Sequence, residues 1–341
     1  MNGLREVSQG IFLLELPLPF PRLPIVNVYL IRDRDELGMV DCGMNVGGAF
    51  DALSAYLDHL GCSFKQIRQV IVTHNHPDHI GLSGPIRDAS GANVVLHRDD
   101  AAVLPSRYVS VDQILADMRA FLALHGAPEE EVPELTEASL RVRAFVSACR
   151  PGTEVTGGEA INVGDTRLEL VWTPGHTAGH VVVYEPHRKL LFSGDHLLWK
   201  ITPNVSKHPQ STLDPLHDFE RSLQAVAAYD VVQTLPAHGP LGGRPAERVD
   251  ELLAHHRARR QTCLDAIGSG AMSAWDVSRL MFPKVGAIYE QRMALFETLA
   301  HLEALKAEGR VAEETNEGRA RWRIKNSKSR IQNERETAAA R

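Results

Sequence analysis

Residues 71–86 read IVTHNHPDHIGLSGPI and carry His74, His76, Asp78 and His79 within six positions. The pattern H-x-H-x-D-H sets nitrogen and carboxylate donors together directly after an apolar run. On an extended chain alternate side chains share a face, so His74 and His76 can reach one ion together. Pro77 bends the chain beyond them, and Asp78 and His79 can reach a second point. Clustered imidazoles and carboxylates are ligands for divalent metals, whereas a lone histidine would read as a satisfied polar residue. Three later stretches place the same residue types beside Gly or Pro at the end of an apolar run. WTPGHTAGH (172–180) offers His176 and His180, LLFSGDH (190–196) offers Asp195 and His196, and LPAHGP (235–240) offers His238. No Ser-His-Asp signature or phosphate-binding glycine loop competes with them.

The elements that must position these residues read as α/β. GIFLLELPL, NVYLIRD and LGMVDCGMN are β-like, AFDALSAYLDHLG has helical spacing with a stop at Gly61, and IRQVIVTH and ANVVLH are strands. Residues 98–150 turn helical. Ser110 and Gln113 fit a capping box, and Ile114, Leu115, Met118, Phe121 and Leu122 share a face that ends at Gly126 and Pro128. A helical layer on a sheet is the plain use of this stretch; its place between two β-rich runs favours a lid over a site. Strands return after residue 158, with a hairpin at Gly164-Asp165. Past residue 250 come three helices and a hairpin turning at Asn316–Gly318, the order of a winged-helix domain. The expected division is 1–250 as a catalytic domain with 98–150 inserted, 251–324 as a winged-helix-like domain, and 325–341 as a disordered tail.

With 341 residues, 43% of them hydrophobic, the chain can bury a sizeable core without disulfide staples. Its net charge of −6 weighs against a nucleic-acid backbone as the main partner. Cys42, Cys62, Cys149 and Cys263 form no CxxC pair and read as reduced thiols. The apolar stretch IFLLELPLPF contains Glu15 and two prolines and is too short to span a bilayer. A soluble, cytoplasmic protein with no membrane partner is expected.

H-x-H-x-D-H, then G-H-T-x-G-H, then S-G-D, then P-A-H-G is an ordered set that resembles the metallo-β-lactamase-fold hydrolase superfamily over residues 5–250. The resemblance implies a four-layer αββα sandwich. It implies one metal on His74, His76 and His176, a second on Asp78, His79 and His238, and Asp195 bridging the two. Zinc β-lactamases of the superfamily usually lack that bridging carboxylate, so the likeness is to the glyoxalase II, lactonase, thioesterase and nuclease branches. The helical insert and C-terminal helices resemble the lactamase-β-like 2 type. His180 and His196 are not family ligands. A turn histidine with a satisfied backbone hydrogen bond is the plain reading of His180, and His196 is the better candidate to touch substrate. Asp41 matches a recurrent position that orients a ligand histidine. Cys42 beside it reads as a buried thiol.

Two divalent ions, zinc first and iron or manganese by the same donor set, would supply hydroxide from a bridging water near neutral pH. That hydroxide would attack a carbonyl or phosphorus, with Asp78 orienting it and passing a proton as the catalytic residue. The expected substrate is a small-molecule thioester, ester or lactone, with the insert's Met118, Phe121 and Leu122 over an acyl chain. The alternative is a single-strand RNA endonuclease using Arg319, Arg321, Trp322 and Arg323 on the terminal hairpin to stack bases and meet phosphates. Homodimer formation or plain packing is the simpler use of that hairpin. A metal-stabilised binding module without catalysis conflicts with a full two-metal ligand set.

Overall fold

Alternation along the strands builds the scaffold. On Ile11–Phe20, Ile11 and Leu13 enter one apolar cluster while Phe12, Leu14, Leu16 and Leu18 enter another. On Val181–Glu185, Val181 and Val183 join the first of these clusters, and Val182 and Tyr184 a third. Successive side chains point to opposite faces of a strand, so strands buried on both faces require a covering layer on each side. The computed structural model describes residues 3–138 and 140–325 and supplies those layers.

Seven strands form the first sheet in chain order: Leu4–Ser8, Ile11–Phe20, Leu23–Asp33, Glu36–Val40, Ile67–Ile71, Asn93–His97 and Thr153–Val155. Pairing is antiparallel up to Glu36–Val40 and parallel beyond it. The second sheet has five strands in the order Gln233–Pro236, Leu190–Gly194, Val181–Glu185, Thr166–Trp172, Ala160–Val163. The sheets meet through Ile11, Tyr29, Ile71 and Val95 on one side and Leu168, Leu170, Val183 and Phe192 on the other. Helices Ala49–His59 and Ser83–Ser90 cover the outer face of the first sheet, and Pro215–Ala227 covers that of the second. The layering is helix, sheet, sheet, helix, as the αββα resemblance implied. The Gly164-Asp165 hairpin is present, with Val163 paired to Thr166 and Gly164 at φ 56°.

The chain divides into two compact units. Described parts of Met1–Gln113, Ser139–Asn204 and Asp218–Leu252 form the first; those of Ile114–Ala138, Val205–His217 and Leu253–Arg341 form the second. The stretch 98–150, expected as one insert, is thereby shared between them. Helix Asp112–Leu124 buries Met118 and Leu122 in the second unit's core, among Cys263, Leu264, Trp275 and Leu299. Phe121 packs on the same cluster, 5.9 Å from the Phe296 ring. The apolar face assigned to an acyl chain is therefore taken up inside this unit, because an amphipathic helix buries its stripe against the nearest apolar layer.

From Leu253 onward helix Pro245–Ile267 belongs to the second unit, and strand Ala271–Met272, helices Ala274–Met281 and Ile288–Ala307, and the hairpin Val311–Asn316 with Arg319–Ile324 follow it. Asn316 pairs with Arg319, and Glu317 and Gly318 at φ 50° and 76° make the two-residue turn. Ala320 and Trp322 point inward and are fully buried, while Arg319, Arg321 and Arg323 point out. Arg323 pairs with Glu314 across the hairpin. Trp322 thus has no face free for a base, which removes the aromatic from the set assigned to RNA. The tail expected beyond Lys325 lies outside the described residues. No helix among the described residues is long and apolar enough to cross a membrane.

Candidate metal centre

Every candidate ligand follows the C-terminal end of a strand. His74–His79 follow Ile67–Ile71, His176 follows Thr166–Trp172, Asp195 follows Leu190–Gly194, and His238 follows Gln233–Pro236. Loops from both sheets therefore gather at one edge, the usual place for a site in such architectures. The donor atoms fall into two groups, each within 4.8 Å: His74, His76, His176 and Asp195, and Asp78, His79 and His238. All seven residues singled out in the sequence are brought together.

In the first group, His74 Nε2 lies 2.9 Å from His76 Nδ1, and His176 Nε2 lies 3.2 Å from His74 Nε2 and 3.0 Å from His76 Nδ1. In the second, His238 Nε2 lies 3.2 Å from Asp78 Oδ2, and His79 Nε2 3.7 Å from Asp78 Oδ1. Asp195 spans both. Its Oδ2 is 3.6 Å from His176 Nε2 and 3.7 Å from His79 Nε2, and its Oδ1 is 3.4 Å from His238 Nε2.

The opposite ring nitrogens fix the tautomers. Asp41 accepts from Thr73 Oγ1 and from His79 Nδ1 at 2.8 Å, so His79 turns a bare Nε2 inward. With its proton given to Asp41, Thr73 Oγ1 accepts from His74 Nδ1 at 3.0 Å. His176 Nδ1 donates to the Asn204 carbonyl at 2.7 Å, and His238 Nδ1 to that of Ile25 at 3.3 Å. Each imidazole thus presents a lone pair to a shared point, the arrangement of metal-ligating histidine with an outer hydrogen-bond partner. Asp41 performs the orienting role expected of it, from a backbone at φ 62° that few non-glycine residues adopt.

Burial, aided by neighbouring imidazoles, pushes His74 and His76 well below the usual histidine pKa; burial also lowers His176. These rings are neutral and able to donate a lone pair. Burial would lower His79 too, but Asp41, Asp78 and Asp195 outweigh it and raise it well above the usual value. Burial opposes the charge on Asp195, yet His238 and His79 hold its carboxyl well below the ordinary range. The field here calls for positive charge. The buried His79 Nε2, Asp195 Oδ1 and His238 Nε2 make no aligned hydrogen bond among the described residues. Buried polar atoms without partners are rare, and divalent cations at these points would satisfy them all. The donor set fits two such ions.

The remaining candidates play other parts. His180 Nε2 accepts the Asp195 backbone N–H at 3.2 Å, so it holds Asp195 through the main chain, in line with its plain reading. Gly194 allows that approach: a Cβ there would lie 2.8 Å from His180 Nε2. His196 is fully buried, edge-on to Phe219 at 5.0 Å, and belongs to neither donor group. Cys42 Sγ donates to the His79 carbonyl at 2.9 Å, and burial pushes its pKa well up. Sequence reasoning missed the props. Asn27 Nδ2 donates to the carbonyls of Pro236 and Gly239, and Tyr29 Oη to that of Pro236, fixing the His238 loop. Asp100 was missed as well; its signal was HRDD, polar residues after an apolar strand as at the other ligand loops.

Comparison with known proteins agrees with this centre. The profile described as "Metallo-beta-lactamase superfamily" matches residues 21–238, and one described as "Metallo-beta-lactamase-like, C-terminal domain" matches 261–325. The crystal structure of a metallo-beta-lactamase family protein from Thermus thermophilus is 33% identical, with a TM-score of 0.82, over 94% of this chain and 100% of that one. "Probable metallo-hydrolase YqjP" of Bacillus subtilis (strain 168) is 26% identical over 88% of this chain and 93% of its own. The human protein named "Acyl-coenzyme A thioesterase MBLAC2" is 25% identical over 70% of this chain and 80% of its own. With the superfamily profile spanning more than half its length, the chain belongs to the metallo-β-lactamase superfamily and is a metal-dependent hydrolase of it.

Proposed function

We propose that the protein is a two-metal hydrolase of a small-molecule thioester, ester or lactone, with an acyl thioester as first choice. The observation that carries this reading is Asp195, whose carboxylate reaches both donor groups. Zinc is the first choice of metal for a set made only of nitrogen and oxygen donors. Divalent ions held there acidify a water and polarise the carbonyl it attacks. The chain's own groups do the rest. His74, His76 and His176, kept neutral by burial, donate lone pairs and no protons. Burial works against charge on Asp78, but His79 and His238 prevail and hold its pKa below the ordinary value. Its ionised carboxylate can take a proton from the attacking water and return it to the leaving thiolate or alkoxide. The name of the human relative supports the choice of thioester. The four buried, unpaired thiols support a reducing, cytoplasmic setting.

The test is a panel of acyl thioesters, esters and lactones offered to the zinc-loaded protein, with labelled single-stranded RNA alongside. Turnover of a panel member, lost in His76→Ala, is expected. Cleavage of RNA alone would overturn the small-molecule reading.

A further inference from the structure

The three-histidine group joins two loops about a hundred residues apart in sequence, and its nitrogens stand 2.9–3.2 Å from one another. Around a tetrahedral zinc with bonds of about 2.0–2.1 Å, neighbouring donors lie roughly 3.3 Å apart. Spacing that close requires the two loops to be tied to each other. One side chain reaches both. Asp100, in helix Arg98–Leu104, accepts from Asn75 N–H at 2.8 Å through Oδ2. Asn75 lies between His74 and His76. The same Oδ2 accepts from Thr177 Oγ1 at 2.8 Å, and Oδ1 accepts from Gly179 N–H at 2.8 Å. Thr177 directly follows His176, and Gly179 precedes His180, which holds the Asp195 backbone.

We propose that Asp100 is a positioning residue that sets the spacing of the three-histidine group by clamping its two loops together; this rests on the metal reading above. Two further features agree. A Cβ on Gly179 would come 2.8 Å from Asp100 Oδ1 and 2.7 Å from Asp100 N, so only glycine lets the loop close onto the carboxylate. Tyr108 Oη donates to the Asn75 carbonyl at 2.7 Å, so the same residue is held at both its N–H and its C=O. Asp100 is 1% exposed and meets three donors. A carboxylate suits them because it offers only acceptors, whereas an amide would turn a donor toward one of them. Burying a carboxylate is costly, and burial indeed lifts this one's pKa against its hydrogen bonds and the charge of Arg107. The residue is placed where that cost sets the geometry of a cation site.

Zinc affinity is read by chelator competition in the full chain and in its His238→Ala form, which leaves the three-histidine group as the intact site. Urea midpoints of the metal-free proteins are recorded beside it. The expected result is a loss of roughly 10- to 100-fold in affinity at the three-histidine group for Asp100→Asn. Zinc binding at the Asp78, His79 and His238 group of the full chain is expected to stay in place. Thr177→Val, which removes one donor and keeps the carboxylate, is expected to lose less in the same direction, and it decides the matter if Asp100→Asn does not fold. A lower urea midpoint with unchanged zinc affinity, or equal weakening at both groups, would overturn the clamp. A parent chain that binds no zinc would instead overturn the metal reading itself.

Discussion

Four of the five imidazoles in this centre follow one rule: His74, His79, His176 and His238 each give the Nδ1 proton to an outer acceptor and turn Nε2 inward, while His76 presents Nδ1. The acceptors are as much a part of the site as the rings. Asp41 shows this best, since its carboxylate serves Thr73 and His79 at once. Asp41→Asn is expected to weaken metal binding at the Asp78, His79 and His238 group by roughly 10- to 100-fold, measured by chelator competition. The three-histidine group is expected to lose less, because His74 is reached only through Thr73. Cys42, by contrast, is a buried thiol on a backbone carbonyl, and Cys42→Ser is expected to leave metal content unchanged in an elemental analysis.

Strand ends were the most legible elements, because an apolar run followed by Gly, Pro and His marks both the strand and the loop it feeds. All seven candidate ligands were visible in this way and meet in the structure. Their props were not. Asn27 and Tyr29 hold a loop more than two hundred residues away, and no local pattern records such a pairing. The helix Asp112–Leu124 was legible as a helix but not in its partner: periodicity tells which face is apolar and not what covers it. The terminal hairpin shows the same limit, since alternation along Arg319–Ile324 was readable while the inward face was not. Trp322 is fully buried in that unit's core, so Trp322→Ala is expected to destabilise it by about 3–5 kcal/mol in urea unfolding. A base-stacking residue would instead be exposed, and its removal would leave stability nearly unchanged.

Across the whole molecule, charge is distributed in two ways. The first unit gathers carboxylates around histidines, where cations are called for, and keeps others of its buried histidines neutral; the second buries neutral histidines outside that centre. There, burial lowers His256 to about 2, helped by His301, His255 and the nearby arginines. Burial likewise lowers His301 and His125, each to about 4. An unfolded chain protonates these residues near pH 6.5, whereas the folded unit does not until pH falls to those lower values. The unfolded state therefore binds more protons between about pH 6.5 and 4, and stability falls as pH drops through that window. The slope is about 1.4 kcal/mol per pH unit for each histidine. Urea midpoints of the metal-free protein across pH 4–7 are expected to show this fall, and His301→Asn is expected to flatten it. The central claim is that hydrolysis runs on two ions joined by Asp195. Its most direct test is metal content measured together with turnover of an acyl thioester, in the parent chain and in Asp195→Ala. Two ions per chain with turnover in the parent, and loss of both in Asp195→Ala, is the predicted result. Full turnover by an Asp195→Ala chain holding one ion would contradict it.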